Sequence, residues 1–267
     1  MVPTCRVAAM YRYPVKGLSP QAVRHADLTV GGFFPGDRIY AVENGPSGFD
    51  AAKPLHLEKN HFLTRMPCAA LAKITSRYDD LDHTLTLHHD GKEARGDLAT
   101  AQGRAIVESF LKQHLPAEDQ RGPLRLLTAS GGFRFTDSRC GFVSIVNLAS
   151  VAAIEDWVGG PVDPLRFRAN CYVEGWPAFA ELNLVGQTLA FASGVRLKVI
   201  RRTERCAAID VDPRTGRRDL RIPRTLLVKL DHADCGVYCE VVTGGRIDEG
   251  EGFLVESEDG PGLATKC

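Results

Sequence analysis

The chain lacks most of the features that assign a protein to a class at sight. Its eight cysteines, at positions 5, 68, 140, 171, 206, 235, 239 and 267, contain no C-x-x-C pair, which speaks against a disulfide framework and against the commonest zinc sites. Most of them are expected to be reduced and packed in the core, as free cysteines usually are. No apolar run approaches the roughly 20 residues needed to span a bilayer, and the start MVPTCRVAAMYRYPVK has no apolar core of a secretory signal. Neither sign of charge is in excess. The 33 basic residues balance 33 acidic ones, so the field of the whole chain gives no reason to expect nucleic acid or an anionic membrane as partner. What the balance leaves room for is a local basic pocket in a cytoplasmic protein. P-loop, dinucleotide glycine fingerprint, H-E-x-x-H and G-x-S-x-G elbow are all missing.

What is present is turn chemistry and short alternating segments. With 26 Gly and 15 Pro in 267 residues, 44% of them hydrophobic and 25% charged, the composition is that of a globular protein richer in strand than in helix. Residues 24–30, 38–42, 70–77 and 84–88 read as strands separated by Gly, Pro, Asp and Asn. Ala41-Val42 leads into Glu43-Asn44-Gly45, and Asn-Gly is a hairpin signal. Over residues 100–115 the period changes, with Ala105, Ile106, Phe110, Leu111 and Leu115 at helical spacing before Pro116. The polar, turn-rich stretch 117–123 is the candidate boundary between two β-rich units. Beyond it, residues 124–128, 168–173, 188–191, 195–200, 226–230, 236–243 and 252–255 read as strands. A short helix over 150–158 is introduced by Asn147 and carries Val151, Ile154 and Trp157 on one side. After Glu256 the composition predicts no order.

Three clusters stand out from this background. Tyr13-Pro14-Val15-Lys16-Gly17 and Gly36-Asp37-Arg38 bring a Lys and an Arg to strand ends of the same unit. Phe167-Arg168-Ala169-Asn170 places an Arg and an Asn two residues apart on a predicted strand, hence on one face. Arg205-Cys206, followed by the turn-rich segment 210–216, sets a cation beside a thiol, which favours the thiolate and so a nucleophile or metal ligand. Taken singly, each reads as solvated charge or a packed cysteine. A zinc cluster of His232, Cys235 and Cys239 is disfavoured, because the strand predicted there alternates its faces. Cys140 and Cys171 read as core.

In this order, YPVKG, GDR, FRAN, RCAAIDVDPRTG and CGVYCEVVTGGRIDEGE resemble the MOSC superfamily. The likeness is strongest to members with a MOSC N-terminal β-barrel domain, the family of the mitochondrial amidoxime-reducing component. It runs from Tyr11 to about Val255, and the RC…VDPxTG element is its most specific part. The resemblance implies a β-rich α+β fold. An N-terminal MOSC-type β-barrel with a closing helix would occupy residues 1–116, and a MOSC β-barrel with a few helices residues 124–255, with a cofactor in the cleft between them.

The resemblance further implies a molybdenum cofactor (Mo-molybdopterin) with Cys206 as both its metal ligand and the catalytic thiolate. Lys16, Arg38, Asp137, Arg168 and Asn170 match the family's cofactor-binding positions, and Arg205 sits beside the ligand. The residue types suit an anionic phosphate and a polar pterin edge. The implied activity is reduction of small N-hydroxylated compounds, with electrons from a separate donor of the ferredoxin, flavodoxin or cytochrome type. A carrier or sulfur-transfer protein for the same cofactor would keep the same residues. Four departures are plain: Gly17 stands where the family has Ser, Ala169 where it has Pro, Ser138-Arg139-Cys140 where a Ser-Pro follows the family's Asp, and Glu204 where a small polar residue is usual.

Overall fold

The structure, a computed structural model, describes residues 5–137 and 143–256. Its strands are β1 (Cys5–Arg12), β2 (Gln21–Val23), β3 (His25–Leu28), β4 (Ala41–Asn44), β5 (Thr75–Tyr78), β6 (Thr84–His89), β7 (Lys92–Asp97) and β8 (Leu124–Leu127). They continue with β9 (Val143–Asn147), β10 (Cys171–Glu174), β11 (Thr188–Phe191), β12 (Arg196–Glu204), β13 (Asp234–Thr243), β14 (Gly245–Asp248) and β15 (Gly252–Glu256). Among the described residues there are three α-helices, α1 (Ala101–His114), α2 (Leu148–Val158) and α3 (Ile222–Leu230). None is long and apolar enough to cross a membrane.

Seven strands close into a ring in the order β10-β9-β13-β12-β11-β15-β1, with β1 pairing back onto β10. Neighbours are antiparallel except β9 and β10. Closure leaves the seven strands no free edge, and alternation sends one face inward. Val7, Ile145, Val173, Leu197, Val237, Cys239 and Val241 fill the interior of this ring. β1 comes from the start of the chain, so the barrel formed mainly by the second half is sealed by the first strand.

The rest of the first half builds a second core. β5, β6 and β7 form an antiparallel meander, and α1 packs across it, burying Val107, Phe110 and Leu111 against Leu71, Leu85 and Leu87. Thr100 caps α1 by accepting the Gly103 N–H at 3.0 Å. The helix meets β7 backbone to backbone, since a Cβ on Gly103 would lie 2.0 Å from Asp97 O and one on Gly96 2.2 Å from Gly103 O. β4 pairs with β8, and an isolated parallel bridge links Val15 to Tyr40.

Four expectations about local structure need correcting. Residues 226–230 are the end of α3, not a strand: Pro223 falls in the first helical turn, and Ile222 and Leu226, four apart, are the buried pair. Asn44-Gly45 makes no local hairpin, because β4 finds its partner in β8, and the Asn44 side chain bonds Asp119 O and Arg121 N at 2.9 Å each. Part of 70–77 is a 3-10 turn, Ala69–Lys73, ahead of β5. Arg168 is no strand residue either. It ends the 3-10 turn Pro164–Phe167 with a left-handed φ of 53°, and β10 begins at Cys171.

The Gly96–Gly103 contact gives a test in which packing and propensity oppose each other. Alanine ordinarily stabilises a helix by about 1 kcal/mol over glycine. Here Gly103→Ala should destabilise by roughly 1–3 kcal/mol, because the added methyl overpacks against the β7 backbone. Thermal unfolding of the variant beside wild type checks the sign.

Candidate functional site

The site begins with two residues forced into left-handed conformations, Arg38 (φ 47°) and Arg168 (φ 53°). Each leaves its chain at an angle that a regular strand would not give, and their guanidinium groups converge on Tyr13. The centroid of the buried Tyr13 ring is 4.7 Å from Arg38 Cζ and 4.3 Å from Arg168 Cζ. Arg38 pairs with Asp37 and donates from Nη2 to Arg168 O at 3.1 Å. Asp37 in turn accepts the Tyr13 N–H at 2.7 Å. Arg168 Nη1 donates to Leu18 O at 2.7 Å. Its remaining nitrogen, Nη2, is buried with no partner. Burial, reinforced by the charges of Arg65 and Arg38, pushes the Arg168 pKa down to about 9.

These groups open onto a cavity of about 530 Å³. Among the described residues its wall carries the cationic side chains of Arg38, Lys59, Arg166, Arg168, Arg201, Arg202 and Arg205 against the carboxylates of Asp37, Asp137, Glu204 and Asp234. In a chain of zero net charge this is a concentrated positive site. Arg166 Nε and Arg205 Nη2 are, like Arg168 Nη2, buried without a partner. The three arginines concerned all line this cavity, and their guanidinium charge favours a bound anion.

Cys206 lies on the same wall, partly exposed, at the start of the 3-10 turn Ala207–Asp210 that follows β12. Its turn is fixed from two sides. Arg166, with a side chain 1% exposed, donates to Asp210 O at 3.0 Å and to the carboxylates of Asp212 and Asp219 at 3.2 and 2.9 Å. Arg218 donates from Nη1 to Ala207 O at 2.9 Å and from Nη2 to Arg65 O at 3.1 Å, which ties the turn to the first half of the chain. The segment 212–216 closes on Asp212, whose Oδ1 accepts the N–H groups of Arg214 and Thr215.

The structure thus brings Arg38, Asp137, Arg168, Asn170, Arg205 and Cys206 to one cavity. Lys16 stands behind it, buried, paired with Asp137 and donating to Phe135 O at 2.9 Å. Burial pulls the Lys16 pKa down, although Asp137 opposes this. Burial alone would raise Asp137, but the Lys16 ammonium holds its carboxyl below the usual range. Asn170 joins strands: its Oδ1 accepts from Ser144 N and Oγ at 3.1 and 2.9 Å and its Nδ2 donates to Tyr11 O at 3.2 Å, leaving one amide hydrogen. Arg205 is held by Cys235 O at 2.7 Å and Phe167 O at 2.9 Å. Cys140 lies outside the described residues, and Cys171, Cys235 and Cys239 are buried, with burial raising the thiol pKa of each. No metal-binding group of three or more His, Cys, Asp or Glu occurs among the described residues.

Arg65 and Arg166 escaped the sequence reading, and Tyr13 was named within its motif without a role. The pattern Arg166-Phe167-Arg168 held a signal for Arg166, in two arginines flanking a phenylalanine. The departures gain reasons as well. Gly17 has φ +87°, and a Cβ there would lie 2.5 Å from Leu63 O, so this backbone excludes a serine. Ala169 uses an N–H that proline lacks, donating to Tyr172 Oη at 3.2 Å.

Inorganic pyrophosphate should raise the melting temperature of the wild-type protein. Arg168→Ala should lose most of that rise. Arg214→Ala should keep it, since the Arg214 side chain is 85% exposed and reaches only Asp163, at 3.5 Å. Equal losses would mean that a diffuse positive field binds the anion.

No curated protein matches the chain. The crystal structure of the YUAD protein from Bacillus subtilis is 16% identical over 96% of this chain and 97% of that one, with a TM-score of 0.47. YiiM from Geobacillus stearothermophilus is 16% identical over 44% of this chain and 55% of that one, with a TM-score of 0.35. Family matches cover nearly all of the described chain: residues 4–121 match the MOSC N-terminal beta barrel domain and residues 132–253 the MOSC domain. With its closed seven-stranded ring and helix-poor first half, the protein is a MOSC N-terminal beta barrel domain followed by a MOSC domain.

Proposed function

We propose that the protein holds a molybdenum cofactor in the cationic cavity and uses it to reduce small N-hydroxylated compounds, with electrons from a separate redox protein. MOSC domains are associated with molybdenum cofactor binding or sulfur transfer. The observation that carries the reading is the meeting of a cationic wall, Arg38, Arg166, Arg168 and Arg205 among it, with a partly exposed cysteine at one cavity. Phosphate satisfies the former and a soft metal the latter.

The residues divide the work by chemistry. Arg168 and Arg38 would hold the phosphate end, with the Arg168 charge relieved of its burial penalty by an anionic partner. Asn170 and Arg205, both on the cavity wall, would offer N–H donors to a pterin edge. Lys16 and Asp137 form a neutralised pair that fixes the 135–137 segment at the cavity wall. When bound, the cofactor supplies the two-electron redox chemistry. Cys206 offers the thiolate that completes its ligand set, and the Arg166 and Arg218 clamps hold that sulfur in register with the guanidinium groups. The positive wall favours an anion over a neutral competitor in the same space.

A carrier or sulfur-transfer role draws on the same partly exposed Cys206, and one experiment separates the two. Protein made in a pterin-competent host should carry up to one molybdenum per chain. Cys206→Ala should then abolish reduction of a simple amidoxime by the chemically reduced protein. It should retain the fold and much of the pterin, read as its fluorescent oxidation product, because the cations hold the pterin and the thiolate serves the metal. Cys235→Ala should keep activity in proportion to its folded fraction. Loaded wild-type protein that reduces no N-hydroxylated compound yet passes its cofactor to an apo-enzyme would establish the carrier instead.

A further inference from the structure

The segment that follows Cys206 has an uneven distribution of charge. Residues 210–224 contain five arginines, Arg214, Arg217, Arg218, Arg221 and Arg224, all exposed. They also contain three aspartates, and each of these is engaged locally. Asp210 accepts the Ile222 N–H at 2.8 Å, Asp212 closes its own turn, and both Asp212 and Asp219 pair with the buried Arg166. The negative charge of the segment is thus engaged locally while most of its positive charge faces water. Among the described residues the side chains of Arg217, Arg221 and Arg224 have no ion-pair partner.

α3 extends this surface. Ile222 and Leu226, four apart, face the core, so Arg221, Arg224, Leu227 and Val228, three and four apart, share the outward face. Leu227 is 51% exposed and Val228 74%. An apolar spot bordered by arginines has the composition of a protein interface, where Arg is enriched and charge thins toward the centre. The face is bolted to the cavity: Asp210 caps α3 at Ile222, and Arg218 grips Ala207, the residue after Cys206.

We propose that this face, Arg217, Arg221, Arg224, Leu227 and Val228, is the docking surface for a small acidic electron-transfer protein, an inference that rests on the redox reading of the cavity. Complementary charge fixes the sign of the partner, and attachment to the Cys206 turn explains why docking here would bring a donor to the mouth of the cavity. Steering of this kind speeds association by about 10- to 1,000-fold and weakens steeply with salt.

The test uses pterin-loaded full-length protein, reduced flavodoxin as the acidic probe and a simple amidoxime as acceptor. The second-order rate with flavodoxin should fall by roughly tenfold between about 0.02 and 0.2 M salt. The triple variant Arg217→Glu, Arg221→Glu, Arg224→Glu should lower the low-salt rate by at least about tenfold and flatten the salt dependence. Turnover driven by reduced methyl viologen, a small cationic donor, should stay within about twofold of wild type, since the triple variant leaves the cavity wall intact. Binding of oxidised flavodoxin, followed through its own amide resonances, should weaken in parallel, and the milder triple glutamine variant should fall between. Equal flavodoxin rates and binding for wild type and both variants would overturn the proposal, as would a wild-type chain that binds no flavodoxin. So would a face that instead retains RNA or anionic vesicles in a manner abolished by the same substitutions. Flavodoxin binding on this face without viologen-driven amidoxime reduction would leave the docking surface standing and remove the reductase reading.

Discussion

Burying arginine is the constraint around which this structure is arranged. A guanidinium removed from water needs several hydrogen-bond acceptors and a countercharge, and in their absence it costs several kcal/mol. Arg166 meets the requirement fully at one end, with two carboxylates and a main-chain carbonyl, and for that reason it can organise the turn that begins at Cys206. Arg38 meets it through Asp37. Arg168 does not. One nitrogen has Leu18 O, another has nothing, and neighbouring cations press on it. That deficit, beside the other cations of the wall, is what makes the cavity receptive to an anion. Tyr13 lets two like charges share the space, its ring face attracting both guanidinium groups.

The site is a joint product of both halves of the chain. Tyr13, Arg38 and Lys16 come from the first half, while Arg168, Asn170 and Cys206 come from the second. Arg38 Nη2 reaching Arg168 O, Arg168 Nη1 reaching Leu18 O and Asn170 Nδ2 reaching Tyr11 O stitch the two together at the cavity itself. Recognition chemistry and architecture therefore share atoms. A substitution at Arg168 would disturb a ligand contact and an inter-half hydrogen bond at once.

Much of this was legible in the residues, and the parts that were not share a physical cause. The helix ended by Pro116, the short helix after Asn147 and the strands at 84–88, 188–191 and 236–243 announce themselves through local periodicity. Arg38, Asp137, Arg168, Asn170, Arg205 and Cys206, read from separate motifs, meet at one cavity. Local pattern misled where a distant segment decides. Asn44 has hairpin chemistry, but β8, eighty residues on, competes for its strand. Leu226–Leu230 is apolar enough for a strand until Pro223 and the spacing of Ile222 and Leu226 are weighed together. The place of Arg168 at the cavity was foreseen for a different reason than the one observed, since a left-handed turn and no strand face directs it there. Arg65 was invisible because it acts through main-chain contacts with other segments, and Arg166 because its carboxylate partners lie 46 and 53 residues away, which no local motif records.

Ring closure by β1 has a consequence for how the chain folds. Cys5 and Arg6 pair with Phe253 and Gly252, and the rest of the strand pairs with β10, so the two seams that close the ring join segments far apart in sequence. Loop-closure entropy must be met before such contacts stabilise anything, which makes the barrel the slow part of folding. The α1 and β5–β7 unit is local in sequence and can form first. Until the ring closes, β1 offers unpaired backbone along much of its length, and it is in that interval that the protein is exposed to mispairing.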